Sequence, residues 1–113
     1  MSATIYHNPR CTKSRIALAL IRERGIDPTI VEYLKSPPSE SELRKILAKL
    51  GKSPKEIVRR KEAKESGINP DTLSNTALIN AMIRNPIIIE RPIVVNGAKA
   101  VLGRPPENVL TIL

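Results

Sequence analysis

Apolar positions along the chain change period several times, and each change marks an element. Residues 3–6, Ala-Thr-Ile-Tyr, read as a short strand, and His7-Asn8-Pro9-Arg10 as a turn, because Asn-Pro starts turns. From residue 12 to about residue 24 the pairs Ile16/Leu20 and Ala17/Ile21 recur at i,i+4, which predicts a helix stopped by Gly25. Thr29-Ile-Val-Glu-Tyr33 is β-branched and strand-like, and Lys35-Ser-Pro-Pro38 is a loop. Ser39 and Glu42 have the spacing of a capping box, and Leu43, Ile46, Leu47 and Leu50 then follow the helical period up to Gly51. A shorter charged helix is expected over 53–62 and a loop over 63–73. Ser74 caps a helix to about Arg84, with Leu78, Ile79, Met82 and Ile83 on its inner side and Asn85-Pro86 as its stop. Ile87-Ile-Ile-Glu90 is short, apolar and β-branched. Ile93-Val-Val95, the Asn96-Gly97 turn and residues 98–102 predict a hairpin. Pro105-Pro106 opens a last helix with Val109, Leu110 and Leu113 on its apolar side. The order is β-α-β, a helical stretch, a β-hairpin, then α.

With 113 residues and no repeat or low-complexity segment, the chain is expected to form one domain, 1–113. Two Tyr and no Phe or Trp make the core aliphatic. No apolar run approaches the ~18 residues of a membrane span. The start, Met1-Ser2-Ala3-Thr4, lacks the basic and apolar regions of a signal peptide, so the expected compartment is the cytoplasm. A single cysteine excludes an internal disulfide and any multi-cysteine metal site.

The formal charge of +8 invites a nucleic-acid reading, but its distribution argues against one. The densest stretch, residues 55–65, interleaves both signs, with Glu56/Arg60 and Lys61/Glu65 at i,i+4 as on a solvated helix. Two Tyr are also a poor platform for stacking bases. A small anionic ligand accounts for the excess charge at least as well.

The lone cysteine is placed to be reactive. Cys11 follows strand, turn and proline and lies where the first helix begins, so unpaired N–H groups and the macrodipole favour its anion. Such positions lower a thiol pKa from ~8.5 to between ~3.5 and ~7.5. Arg10, Lys13 and Arg15 add positive charge, and His7, the only histidine, is four residues upstream, where it either biases the thiolate, relays a proton or is merely a turn residue. Free cysteines are usually small buried hydrophobes. The flanking Arg10 and Lys13 make that the weaker reading here. Cys11-Thr-Lys-Ser14 is a Cys-x-x-Ser, similar to a redox Cys-x-x-Cys with the second thiol replaced by a hydroxyl. With β-α-β around it and a strand following Arg91-Pro92, it suggests a thioredoxin-like arrangement.

His7-Asn-Pro-Arg-Cys11-Thr-Lys-Ser-Arg15 resembles the His-Asn-Pro-x-Cys-x-x-Ser-Arg signature of the glutaredoxin-linked arsenate reductase (ArsC) family. The resemblance continues through Tyr33-Leu, Pro37-Pro38, the Arg59 segment, Arg91-Pro-Ile-Val-Val95 and Gly103-Arg104-Pro105, and so covers nearly the whole chain. It is similar to a short bacterial branch that ends soon after Arg-Pro-Pro-Glu. The resemblance implies an α/β thioredoxin-like fold, a small mixed β-sheet flanked by helices, with a helical insertion between the second and third strands. It implies reduction of arsenate to arsenite with glutathione as co-substrate and glutaredoxin as partner. Carried over, Cys11 is the nucleophile and His7 and Ser14 tune its thiolate. Arg59, Arg91 and Arg104 match the arginines that hold the oxyanion, with Arg60 beside Arg59 as the competing position.

The chemistry is coherent with these residues. Guanidinium forks grip tetrahedral oxyanions bidentately and stay charged. Clustered arginines offset the repulsion between a thiolate and an anion. Reducing As(V) to As(III) takes two electrons and hence two thiols, of which this chain holds one, so the second comes from outside. No metal or bound cofactor is required. The alternatives are a thiol oxidoreductase acting on another substrate, and a regulator resembling the Spx proteins that bind RNA polymerase. Ser14 removes the Cys-x-x-Cys switch common in the latter.

Overall fold

The computed structural model describes residues 3–113; Met1 and Ser2, part of the start read above, lie outside them. Residues up to 36 together with 91–113 form one compact unit, and residues 37–90 form a second.

The first unit holds a four-stranded mixed sheet in the order β2-β1-β3-β4. Strand β1 (Ala3–Tyr6) alternates, with Ala3 and Ile5 buried. Helix α1 (Thr12–Glu23) is the crossover that brings β2 (Thr29–Val31) parallel to β1, pairing Thr4 with Thr29 and Tyr6 with Val31. Strand β3 (Ile93–Asn96) runs antiparallel on the other side of β1, and β4 (Lys99–Leu102) returns beside it. The hairpin forms as expected, but Asn96 ends β3, paired with Lys99. Gly97 takes the first turn position with φ 62°, so glycine is the residue the turn demands. Residues Pro106–Ile112 form a 3₁₀ helix rather than an α-helix. It packs on α1, and Ile5, Ala17, Leu18, Ile21, Val94 and Val109 close an aliphatic core between sheet and helices. Each fully buried Ile or Val here contributes ~1.5–3 kcal/mol.

The second unit, the helical insertion between β2 and β3, contains α2 (Glu40–Leu50), α3 (Arg60–Glu65) and α4 (Asn75–Arg84). Ser39 caps α2 by accepting from the Glu42 N–H, and Gly51, at φ 67°, closes it in a Schellman turn with Lys52 N–H on Leu47 O. Leu43, Ile46 and Leu47 of α2 and Leu78, Ile79 and Met82 of α4 are buried, and the two helices pack together.

The charged helix expected over 53–62 is two pieces. A 3₁₀ turn, Pro54–Ile57, is opened by the reciprocal capping box of Ser53 and Glu56, and α3 starts only at Arg60. Between them Val58 bridges Ile89, with Arg59 N–H on Ile88 O (2.6 Å) and Glu90 N–H on Ile57 O (2.7 Å). This pairing of buried apolar residues holds 58–59 extended and overrides local helix preference. It also redirects the expected i,i+4 pairs: Glu56 caps Ser53, and Arg60 pairs with Asp71. The stretch 63–73, read as a loop, carries the end of α3 and a 3₁₀ turn at Pro70–Thr72. Ile87-Ile-Ile-Glu90 contributes a 3₁₀ turn, Pro86–Ile88, and that single bridge.

Candidate active site

The site lies at the carboxyl end of β1, where the chain turns into α1. The His7 N–H donates to Val31 O (2.8 Å), carrying the β1–β2 pairing one residue further and fixing His7 at the sheet's end. Asn8 then shapes the turn. Its Oδ1 accepts from the Arg10 N–H (3.0 Å), its carbonyl accepts from the Cys11 N–H (3.0 Å), and its own N–H donates to Ser14 Oγ (3.1 Å). Asn8 is itself buried, and its N–H, carbonyl and Oδ1 are thereby each paired within the loop.

Cys11 is the N-cap of α1, with extended backbone angles, and is partly exposed. Burial pushes its thiol pKa up. The Ser14 N–H, the Arg91 guanidinium by hydrogen bond and charge, and the Lys13 N–H outweigh that and leave it below its ordinary value. The helix end therefore acts through the backbone of residues 13 and 14.

The Ser14 side chain is fully buried and faces the other way: its Oγ lies 2.6 Å from His7 Nδ1 and accepts from Asn8. Burial, chiefly, holds the His7 pKa below its ordinary value. Glu32 opposes this, and Arg22 and Arg15 add to it. His7 is thus neutral at pH 7, and with its proton on Nε2 it accepts the Ser14 hydroxyl proton at Nδ1. The His7–Ser14 pair anchors the first turn of α1 to the end of β1.

Arg91 stands at the entry to β3, and its Nε and Nη1 are buried without a hydrogen-bond partner among the described residues. Unpaired, buried, charged donors are costly. Beside a thiol they form a receptor for an anion's oxygens. Arg104 supports this strand end, donating from Nε to the Arg91 carbonyl (2.9 Å), while its own carbonyl accepts from Asn108 Nδ2 (3.1 Å). The Arg91-Pro92 and Arg104-Pro105 peptide bonds are both cis. Gly103 completes the support; its N–H donates to Pro92 O (2.8 Å), and a Cβ there would stand 2.6 Å from Pro92 Cγ.

Arg59 belongs to the second unit. It is partly buried, with Nε 3.1 Å from Glu62 and Nη1 3.3 Å from Glu90, whereas Arg60 is exposed and pairs with Asp71 at 3.2 Å. His7, Cys11, Ser14, Arg91 and Arg104 are thus gathered within the first unit. Asn8 is the residue whose part the sequence reading understated, since its Asx turn and buried contacts were legible only as a turn signal. Among the described residues no group of three or more His, Cys, Asp or Glu is placed to hold a metal, and no helix is long and apolar enough to cross a membrane.

Sheet order, crossover helix and a thiol at the helix N-terminus define a thioredoxin-like thiol protein. A model of the ArsC family matches residues 6–112, and the chain belongs to that family. It is similar to the uncharacterized protein YfgD of Escherichia coli (strain K12), with 50% identity over 96% of this chain and 94% of that protein. It is 47% identical to the arsenate reductase of Neisseria meningitidis serogroup A, over 96% of each chain. Among solved structures it is similar to an arsenate reductase from Vibrio cholerae, with a TM-score of 0.93 and 46% identity, covering 100% of this chain and 98% of that one.

Proposed function

We propose that the chain reduces arsenate to arsenite, with Cys11 as nucleophile and an external thiol as electron donor. The observation that carries this is the Arg91 guanidinium, whose Nε and Nη1 are buried without a hydrogen-bond partner among the described residues and whose charge helps hold the Cys11 thiol below its ordinary pKa. The naming of full-length relatives as arsenate reductases supports it.

In the first step the Cys11 thiolate attacks arsenic, a sulfur–arsenic bond forms, and one arsenate oxygen leaves as water after protonation. Arsenic remains As(V). A glutathione thiolate then attacks the Cys11 sulfur. The sulfur–arsenic bond breaks, its electron pair passes to arsenic, and arsenite leaves as As(III). Cys11 is left as a mixed disulfide with glutathione. A glutaredoxin thiol resolves that disulfide and restores the Cys11 thiolate. Two external thiols thus supply the two electrons, and Cys11 turns over.

Arg91 binds the oxyanion and screens its charge from the thiolate, and Arg104 holds the Arg91 backbone in place. Arg59, which the sequence resemblance also matches to an oxyanion-holding arginine, lies in the second unit with its charge largely offset by Glu62 and Glu90, so the oxyanion is assigned here to Arg91. His7 and Ser14 tune the thiolate through the position of the helix start. A cytoplasmic location suits a thiol that must stay reduced.

The test is arsenate-dependent oxidation of NADPH, coupled through glutathione, glutaredoxin and glutathione reductase, with Cys11→Ser as control. Turnover needing both arsenate and Cys11 is expected. Protein that alkylates readily at Cys11 near neutral pH yet shows no turnover would move the substrate elsewhere.

A further inference from the structure

Arg15 makes two side-chain hydrogen bonds that the assigned chemistry does not use. Its Nη1 donates to Pro9 O at 3.0 Å and its Nη2 to Thr12 Oγ1 at 3.3 Å. These acceptors lie on either side of Cys11 in the chain. Helical side chains lean toward the N-terminus, so a residue one turn into α1 covers the turn in which Cys11 sits. Pro9 O lies outside the helix ladder, and reaching it together with Thr12 Oγ1 takes a forked planar donor. The Arg15 N–H also donates to Cys11 O (3.0 Å), so backbone and side chain of one residue hold residues 9, 11 and 12. From the buried side the same loop is held by Asn8 and by the His7–Ser14 contact. The loop is therefore fixed on both its faces, inside by Asn8 and outside by Arg15.

We infer that Arg15 is a positioning residue: its guanidinium straps the Pro9–Thr12 turn and keeps the Cys11 sulfur within reach of the Ser14 and Lys13 N–H groups. Without the strap the Cys11 side chain samples positions away from those donors, and the thiolate loses part of its stabilisation. The inference concerns the thiol of the site proposed above, but its principal readout does not depend on which substrate that site takes.

The experiment is the pH profile of Cys11 alkylation by iodoacetamide in the full chain, for Arg15→Ala, Arg15→Lys and Thr12→Ala, with thermal unfolding as the check on folding. Arg15→Ala is expected to raise the profile's midpoint by about half a pH unit. The loss of thiolate is partly offset by its greater nucleophilicity, so the rate below the midpoint falls about twofold. Arg15→Lys keeps the charge but loses the fork, and should recover less than half of that change. Thr12→Ala removes one acceptor and should shift the midpoint in the same direction by less. If arsenate turnover is measurable, Arg15→Ala lowers kcat while leaving the KM for arsenate within about twofold. An unchanged Arg15→Ala profile, or full recovery with lysine, would overturn the inference, the latter by showing that charge alone suffices. Should Arg15→Ala fail to fold, Thr12→Ala and Arg15→Lys decide it, and wild-type profiles from both would overturn it. Shifted alkylation in a protein with no arsenate turnover would sink the proposed substrate and leave the strap standing.

Discussion

Replacing Arg91 with alanine tests how the thiol is activated. The guanidinium contributes a hydrogen bond and a charge to the Cys11 sulfur, alongside the Ser14 and Lys13 N–H groups. A hydrogen bond to a charged group is worth ~1.5–3 kcal/mol, and the partly open sulfur takes the lower end of that range. About 1.5 kcal/mol corresponds to roughly one pKa unit, so the thiol of Arg91→Ala should titrate about one pH unit higher. Below both midpoints the thiolate population falls ~10-fold. The more basic thiolate is ~3-fold more nucleophilic, which leaves a net loss of about threefold in alkylation rate. Arsenate turnover should fall much further, by ~10²-fold or more, because the oxyanion loses its principal donor as well. The assay is iodoacetamide trapping across pH, followed by intact mass, beside the coupled reductase assay. An unshifted alkylation midpoint in folded Arg91→Ala would refute the reasoning, since activation would then rest on the helix terminus alone.

Other expectations follow from the same contacts. Gly103→Ala places a Cβ 2.6 Å from the Pro92 ring and 3.3 Å from Val109 Cγ1. It should cost ~1–3 kcal/mol in denaturant unfolding and lower turnover by displacing the Arg91-Pro92 segment. Glu56→Ala breaks the capping box at Ser53 and should lower the urea unfolding midpoint slightly with the alkylation profile unchanged. His7 is held neutral, so below its ordinary value of 6.5 the unfolded chain binds a proton that the folded chain does not. Stability should therefore fall as pH drops through and below 6.5, and His7→Gln should flatten that part of the curve measured by urea unfolding.

Much of the fold was legible because local signals agreed with the final packing. The apolar alternation of β1, the period of α1 and α4, Ser39 and Ser74 as caps and Asn96-Gly97 as a turn each act within a few residues. The helix expected over 53–62 is broken for the opposite reason. Its helical charge pattern is real, but Val58 and Arg59 are drawn into pairing with 88–89, a contact some thirty residues away that no local pattern displays. The same bridge distinguishes Arg59 from Arg60: the extended backbone lets Arg59 meet Glu62 and Glu90 while Arg60 turns to Asp71. At the site, the helix-capping position of Cys11 was readable from strand, proline and helix order. That the Ser14 backbone rather than its hydroxyl faces the sulfur depends on three-dimensional contacts to His7 and Asn8.

The central claim is that Cys11 attacks arsenate and is then released as a mixed disulfide. The direct measurement is intact-mass analysis of the protein after incubation with glutathione, with and without arsenate, and with no glutaredoxin present. One glutathione per chain, located on Cys11 and formed only when arsenate is added, is the predicted result. No adduct with arsenate, or an equal yield without it, would contradict the account.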